Sequence, residues 1–259
     1  MSPWCVPALL LAGLGMVTAA ALALRGEGAV SGVTLAAYTT SLSGRTPNQD
    51  ANIRIAAERV DGVTLRPGEV FSFARAVGPV SADTGFVRGL AIRDGEPASE
   101  DGGGICQVVS TIYNAALRAN LKIVERRKHL WPVHSVPPGL DATFASGNAD
   151  LKFENSLRQT VRVRVLAEGS RLTARVIGEH AEPAHVEVIR SLKAVLPAER
   201  VLEATPILKR GQRRIVNRGR PGYEVEVWRE ASRAGALRRE RISADRYAPV
   251  NEIVWVGTR

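Results

Sequence analysis

One short stretch of the chain combines a nucleophilic side chain with an unusually permissive backbone. Three consecutive glycines at 102–104 are followed, after one residue, by Cys106. Apolar residues then recur at spacings of three and four, as they do on one face of a helix: Ile105, Val108, Ile112 and Ala115 or Ala116. This spacing predicts a helix that places Cys106 in its first turn.

A cysteine in the first turn of a helix is favoured in its ionised form. Unpaired N–H groups and the positive dipole end of the helix stabilise a thiolate and lower the pKa from the free-thiol value of about 8.5. Glycines let the backbone approach a substrate and turn N–H groups toward a developing oxyanion. We therefore predict Cys106 as a catalytic nucleophile. Candidate oxyanion or substrate-binding residues lie beside it: Gly103, Gly104, Gln107, Ser110 and Tyr113.

Other interpretations of this stretch have different consequences. A lone cysteine on a helix is often a small buried apolar residue, and spacing alone leaves that alternative open for Cys106. The pattern favours a phosphate-binding loop still less, because Ile105-Cys106-Gln107 stands where such a loop ends in Gly-Lys-Ser/Thr. The second cysteine, Cys5, precedes an apolar run, so an exported body of this chain would hold one unpaired, reactive thiol.

The stretch 125–143, which is interrupted by prolines, contains candidate bases for that thiol. A nucleophilic cysteine needs a base within hydrogen-bond reach, and the base needs an acceptor that orients it. His129 and His134 are both open as the base. Asp141 is a candidate orienting carboxylate, although an aspartate in such a stretch is also typical of a turn.

Residues 102–116 resemble the GGG-x-CQ-x-SST-x-YNA signature of the VanW family, which is named after an accessory gene of vancomycin-resistance clusters. Val109 departs from that signature at a position where serine is usual. Similar segments at 41–73 (SLSGRTPNQDANIRIAAERVDGVTLRPGEVFSF) and 125–143 (ERRKHLWPVHSVPPGLDAT) extend the resemblance over residues 35–180.

The resemblance favours one of the two histidines. His129 falls on the histidine of a His-Ser pair in the family pattern, so it is the preferred base, with Asp141 as its orienting residue and His134 as second choice. Leu130 replaces the serine of that pair. Neither departure removes a nucleophile or a base.

The resemblance also implies a function. It indicates a peptidoglycan enzyme of the L,D-transpeptidase type, which forms a thioester with a donor stem peptide and makes 3-3 cross-links. No metal or organic cofactor is expected, and the acid-rich stretch before the glycines lacks a histidine. A cysteine peptidase or amidase would use the same residues with water as acceptor. A non-catalytic peptidoglycan-binding protein is a further alternative.

The formal charge of +9 and the pI near 10.2 indicate an anionic partner. Residues 185–259 hold sixteen basic and nine acidic side chains, so the excess charge lies in the C-terminal part. The uncharged run at 6–24 predicts a signal peptide or a membrane anchor, and Ala21-Leu22-Ala23 offers a cleavage site. We therefore expect export to the outer face of the membrane or the cell wall. The expected partners are stem peptides and an anionic wall polymer or membrane surface, not nucleic acid.

The remaining patterns predict an α+β fold in which the Cys106 helix packs on antiparallel strands, followed by a small β-rich domain. A helix is expected at 48–61, a short strand at 86–92, and a hairpin whose valines at 161, 163 and 165 alternate with arginines. Gly219–Arg229 and Tyr247–Thr258 resemble the five-glycine module of cell-wall proteins. The domain boundaries predicted from these patterns are a signal or anchor at 1–25, a tether at 26–40, a VanW-like domain at 41–180, a linker at 181–200 and a five-glycine-like domain at 201–259.

Overall fold

The computed structural model describes residues 32–93 and 96–259. The helices are α1 (Pro47–Val60), α2 (Phe73–Val77) and α3 (Cys106–Arg118). Nine strands precede residue 180: β1 (Val33–Ser41), β2 (Val63–Leu65), β3 (Val70–Ser72), β4 (Arg88–Arg93), β5 (Glu96–Asp101), β6 (Lys122–Glu125), β7 (Lys152–Glu154), β8 (Val161–Glu168) and β9 (Arg171–Gly178). Six follow: β10 (His185–Leu196), β11 (Arg200–Thr205), β12 (Arg213–Arg220), β13 (Gly222–Arg233), β14 (Ala236–Tyr247) and β15 (Val250–Gly257).

The N-terminal domain, residues 33–178, is built on an antiparallel sheet with strand order β1-β9-β8-β2. Val161, Val163 and Val165 of β8 are buried, as the alternating pattern predicts. Helices α1 and α3 pack against this sheet and bury a shared apolar core. A second sheet, β3-β7-β6, adds the stacked rings of Phe71 and Phe153, whose centroids are 4.6 Å apart.

Helix α1 begins one residue before its predicted start, because its first turn is capped on both sides. The Thr46 hydroxyl accepts a hydrogen bond from the Gln49 N–H, and the Gln49 side chain accepts one from the Thr46 N–H. Pro47 has no N–H to leave unsatisfied at this position. Arg45 lies immediately before this cap.

Helix α3 is buried over nearly its whole circumference. Every residue from Gln107 to Leu117 is buried, including the polar side chains at 107, 110, 111 and 114. Most buried polar groups in proteins are hydrogen bonded, and these four side chains bond to neighbouring segments or to the helix backbone.

The C-terminal module, residues 185–259, consists of two three-stranded sheets, β10-β13-β14 and β11-β15-β12. The predicted linker at 181–200 is corrected here: most of it is β10, which pairs with β13 from His185 to Leu196. The segment resembles a linker because prolines at 183 and 197 flank it, whereas its pairing partner lies about forty residues later in the chain. The tether predicted at 26–40 likewise contains most of β1, which pairs with β9.

The described residues thus form an α+β domain followed by a β-rich module, and residues 32–259 are one compact unit. The apolar run at 6–24 lies outside the described residues. Among the residues that are described, no helix has the length and apolar character needed to cross a bilayer.

The glycine turn before Cys106 depends on Asn52, which is fully buried in α1. Its Nδ2 donates to Val87 O at 2.8 Å and to Gly103 O at 3.0 Å, and its Oδ1 accepts from Val87 N at 2.9 Å. Asn52→Asp places a carboxylate oxygen against two carbonyl oxygens. We expect the free energy of unfolding to fall by about 3 kcal/mol in urea titrations followed by circular dichroism.

Asn48→Asp is the matched control, because exposed Asn48 donates one hydrogen bond, to Arg88 O at 2.7 Å. Its cost should stay below about 1 kcal/mol. Equal losses in the two variants would show that Asn52 does not anchor the turn.

Candidate active site

The glycine turn brings Cys106 to the first position of α3. Gly104 has a φ of +107°, which favours glycine. A Cβ on Gly103 would lie 2.4 Å from Gly89 O, so the turn is pressed against the backbone of β4. Glycine is therefore required at 103 for close packing and favoured at 104 by the backbone conformation.

The turn supplies fewer oxyanion donors than the sequence predicts. The N–H of Gly103 donates to Glu100 O at 3.1 Å, so it is not available to a substrate. Within the described ranges, the N–H groups of Gly104 and Cys106 have no hydrogen-bond acceptor. These two partly exposed positions retain the capacity to bind an oxyanion.

Cys106, His129 and Asp141 are brought together from three separate segments. The His129 Nδ1 lies 2.7 Å from Asp141 Oδ2, and the His129 backbone N–H donates to the same oxygen at 2.7 Å. The His129 side chain also lies close enough to the Cys106 thiol for each group to shift the pKa of the other. Because Asp141 engages Nδ1, Nε2 is the ring nitrogen left to exchange a proton with sulfur.

His134 points to another part of the molecule. It is exposed, and its Nε2 lies 3.0 Å from Arg220 Nη1 in the C-terminal module. Of the two candidate histidines, His129 is therefore the one whose charge acts on Cys106, and its role as a base stays a prediction.

The electrostatics of Cys106, His129 and Asp141 favour an ion pair between the Cys106 thiolate and the His129 imidazolium. Burial raises the pKa of the Cys106 thiol, but the hydrogen bond and the positive charge of His129 outweigh it, so the net shift is downward. Burial lowers the pKa of His129, but Asp141 and the Cys106 thiolate outweigh this effect and raise it to about 9. Burial raises the pKa of Asp141, yet the hydrogen bond from His129 and the charge of Arg126 lower it to about 2.

Two further groups stabilise the sulfur, and sequence reasoning missed both. The Phe144 backbone N–H donates to Cys106 Sγ at 3.5 Å, and the Thr143 hydroxyl oxygen lies 3.5 Å from it. Both hydrogen bonds lower the pKa of the Cys106 thiol. The sequence signal that could have identified Thr143 and Phe144 is their position two and three residues after Asp141.

A polar stripe on α3 holds the segment that carries Asp141. The Ser110 hydroxyl donates to Ala142 O and accepts from Ala142 N, both at 3.0 Å. Asn114 Nδ2 donates to Leu140 O at 2.6 Å. Cys106, Ser110 and Asn114 are spaced by four residues and so share one face of the helix. One helix face thus positions Cys106 and the segment that carries Asp141 together.

Three of the predicted substrate-binding side chains are interior instead, which corrects that part of the sequence analysis. Gln107 and Ser110 are buried with internal hydrogen bonds. Tyr113 is also fully buried, its hydroxyl has no partner among the described residues, and burial raises its pKa to about 12. The helical pattern did not distinguish a face toward solvent from a face toward a loop of the same domain.

Arg45 is a candidate site residue that the sequence analysis did not predict. Its Nε donates to Gln107 Oε1 at 2.6 Å, beside the nucleophile in the chain. Burial lowers the pKa of Arg45, and the nearby Cys106 thiolate partly offsets this effect. Among the described residues, its two terminal nitrogens have no hydrogen-bond partner. A partly buried guanidinium near the sulfur is therefore free to bind an anion.

Comparison with known proteins agrees with this architecture. The family described as VanW like protein matches residues 48–177, and the G5 domain family matches residues 189–259. The chain therefore belongs to the VanW-like family and carries a C-terminal G5 domain. This G5 match includes part of β10, in agreement with the corrected boundary.

Two curated relatives match the chain. The uncharacterized protein YoaR of Bacillus subtilis is 33% identical over 165 residues, which cover 64% of this chain and 54% of that protein. The vancomycin B-type resistance protein VanW of Enterococcus faecalis is 30% identical over 137 residues, which cover 51% and 50%. The chain thus spans about half the length of the curated relatives that it matches.

The solved structures that match the chain include two G5 domains. The IgA1 protease G5 domain is 27% identical, with a TM-score of 0.23, and the match covers 29% of this chain and 88% of that one. The HP0197 G5 domain is 17% identical, with a TM-score of 0.18 over 29% of this chain and 100% of that one.

The ion pair predicts a pH-dependent reactivity of Cys106. In wild-type protein, the rate of iodoacetamide alkylation should rise with a midpoint below the free-thiol value of about 8.5. His129→Gln should raise that midpoint, because it removes the hydrogen bond and the positive charge that lower the pKa of the thiol. The midpoint, not the absolute rate, is the criterion, since partial burial slows alkylation at every pH.

His134→Gln is the control and should leave the midpoint unchanged, because this histidine is bonded to Arg220. The ion-pair interpretation fails if His129→Gln and His134→Gln give the same midpoint as wild type.

Proposed function

We propose that this protein is a cell-envelope enzyme that uses Cys106 to transfer acyl groups between peptidoglycan stem peptides, as an L,D-transpeptidase does. The observation that carries the proposal is the grouping of Cys106, His129 and Asp141, in which His129 Nδ1 lies 2.7 Å from the buried Asp141 carboxylate and His129 lowers the pKa of the Cys106 thiol. The relative named as a vancomycin resistance protein and the attached G5 domain support a location in the cell envelope.

The acylation step follows from the ionisation states of the site. The Cys106 thiolate attacks the carbonyl carbon of the third residue of a donor stem, and a sulfur–carbon bond forms. The N–H groups of Gly104 and Cys106 stabilise the oxyanion. The C–N bond to the terminal D-alanine then breaks, and the His129 imidazolium gives its Nε2 proton to the departing amine.

Transfer to the acceptor reverses the proton movements. The side-chain amine of an acceptor stem attacks the thioester carbonyl, and neutral His129 takes a proton from the attacking nitrogen. The carbon–sulfur bond breaks, the thiolate returns and a 3-3 cross-link is formed. Asp141 keeps Nδ1 protonated throughout, so that Nε2 faces the reacting atoms. These steps use the side chains of this chain and require no metal or organic cofactor.

The position of Arg45 favours a substrate with a free terminal carboxylate. A terminal D-alanine carries a carboxylate beside the bond that is broken, and a guanidinium binds carboxylates through paired N–H donors. The unpartnered terminal nitrogens of Arg45 provide such donors near the sulfur. We assign Arg45 the role of binding the carboxylate of the leaving residue.

The basic C-terminal module supports a second contact, with anionic wall polymer or a membrane surface. Its excess of seven positive charges attracts polyanions at a distance and is screened by salt. This contact would hold the enzyme on its polymeric substrate, while the chemistry takes place at Cys106.

Incubation with a stem tetrapeptide tests the covalent step. We expect an intact-mass increase equal to the acyl tripeptide on Cys106, lost in Cys106→Ala and strongly reduced in His129→Gln, whereas His134→Gln retains it.

The acylation rate should rise as the thiol ionises and fall as the pH increases through about 9, where His129 loses the proton that it must donate. The absence of any adduct in wild type would instead support a non-catalytic peptidoglycan-binding protein. An adduct that releases free tripeptide, even with an acceptor amine present, would indicate a peptidase.

The role of Arg45 is tested with the same tetrapeptide and its C-terminal amide. Arg45→Gln should lower kcat/KM for the acid by about tenfold to a hundredfold, because a charge-assisted hydrogen bond is lost. Its effect on the amide should be small, and Arg66→Gln, at an exposed position on the same domain, should affect neither. An equal loss for the acid and the amide would exclude carboxylate recognition.

A further inference from the structure

The G5 module reaches the orienting carboxylate of the site. Tyr247, the last residue of β14, is fully buried, and its hydroxyl donates a hydrogen bond to Asp141 Oδ1. The same hydroxyl accepts from Gly139 N at 2.7 Å. One phenol of the module therefore contacts both ends of the segment 139–141.

Arg126 forms a second connection between the module and this carboxylate. Its Nη1 contacts both carboxylate oxygens of Asp245 at 2.9 and 2.7 Å. Its Nη2 donates to Asp141 Oδ1 at 3.1 Å, and its Nε donates to Asp141 O at 2.7 Å. The side chains of Arg126 and Asp245 are 7% and 9% exposed, so this charge pair is almost completely removed from solvent.

The two carboxylate oxygens of Asp141 have different hydrogen-bond partners. Oδ2 accepts both hydrogen bonds from His129, whereas Oδ1 accepts from Arg126 and from the module's Tyr247. Neither carboxylate oxygen can turn without breaking contacts on the other side. The orientation of His129 therefore depends on groups from both domains.

Close packing fixes the same segment against the module. A Cβ on Gly139 would lie 2.8 Å from Val227 and 3.0 Å from Val225, both on β13. Val136, Leu140 and Val227 bury a small apolar cluster at this interface, and Arg229 donates to Leu121 O at 2.6 Å. These contacts hold the two domains together without the Tyr247 hydroxyl, so that hydroxyl is not needed for docking.

We propose that the G5 module is part of the catalytic unit, with Tyr247 and Asp245 as positioning residues that hold Asp141, and through it His129, in the reactive arrangement. The inference rests on the proposed function, since Asp141 matters only if His129 serves Cys106. It gives the module a role beyond attachment to a polymer. It also means that the N-terminal domain alone carries an incomplete site.

Full-length Tyr247→Phe and Asp245→Asn test the proposal against the control Tyr223→Phe. Tyr223 faces Tyr247 across β13 and β14 and is partly exposed. The measurements are kcat and KM for acylation well below the melting temperature, together with the His129 ring titration by NMR.

Tyr247→Phe should lower kcat on the order of tenfold to a hundredfold, with KM changed by less than about twofold, because the base is misplaced while substrate contacts remain. Asp245→Asn removes a buried negative charge and leaves Arg126 to compete with His129 for Asp141. It should therefore lower the His129 titration midpoint below about 9, and Asp245→Glu should restore it. Tyr223→Phe should match wild type in all of these measurements.

The outcomes separate the two proposals. If wild type forms no acyl-enzyme, the proposed function fails, and the His129 titration still reports whether the module controls the histidine. If the variants lose thermal stability but keep wild-type kcat and titration, the interface is only structural and the inference is overturned. Should Tyr247→Phe fold poorly, the Asp245→Asn and Asp245→Glu pair decides the question by titration alone.

Discussion

The rest of the site depends on a single buried charge, the carboxylate of Asp141. Its side chain is fully excluded from solvent, and an isolated carboxylate in such a position would cost several kcal/mol of stability. Arg126, His129 and Tyr247 compensate for that cost by charge and by hydrogen bonds. The same contacts fix the position of the carboxylate, and with it the position of the His129 ring that it bonds.

Helix α3 places the other residues of the candidate site relative to this carboxylate. It is buried on nearly all sides, so its polar residues have to be satisfied by protein groups and not by water. Ser110 and Asn114 satisfy theirs on the segment that carries Asp141, while Gln107 binds β1 and Arg45. Cys106 begins the same helix. Cys106, the segment that carries Asp141, and Arg45 are therefore all positioned by contacts with this one helix.

The contacts between the two domains are more extensive than the domain boundary predicted from the sequence indicates. Strand β10 belongs to the sheet of the module, and Val188 on it packs against the core of the N-terminal domain. The Arg126–Asp245 pair is nearly dry at the interface, where opposite charges interact far more strongly than at a surface. A module that had only to bind a polymer would not need a buried charge pair directed at the site of the other domain.

The sequence by itself determined the elements whose signals are local. The helical spacing and the glycines predicted that Cys106 would begin a helix, and alternation predicted the β8–β9 hairpin, because neighbouring residues in the chain suffice to define those periods. The choice of His129 over His134 came from the resemblance to the VanW family and not from the residues alone. The tertiary structure decided which polar residues are interior, that Arg45 approaches the sulfur, that 185–196 is a strand and that Tyr247 contacts Asp141. Each of these depends on partners distant in the chain, and a local period predicts that a face is buried but not which distant segment packs or pairs with it.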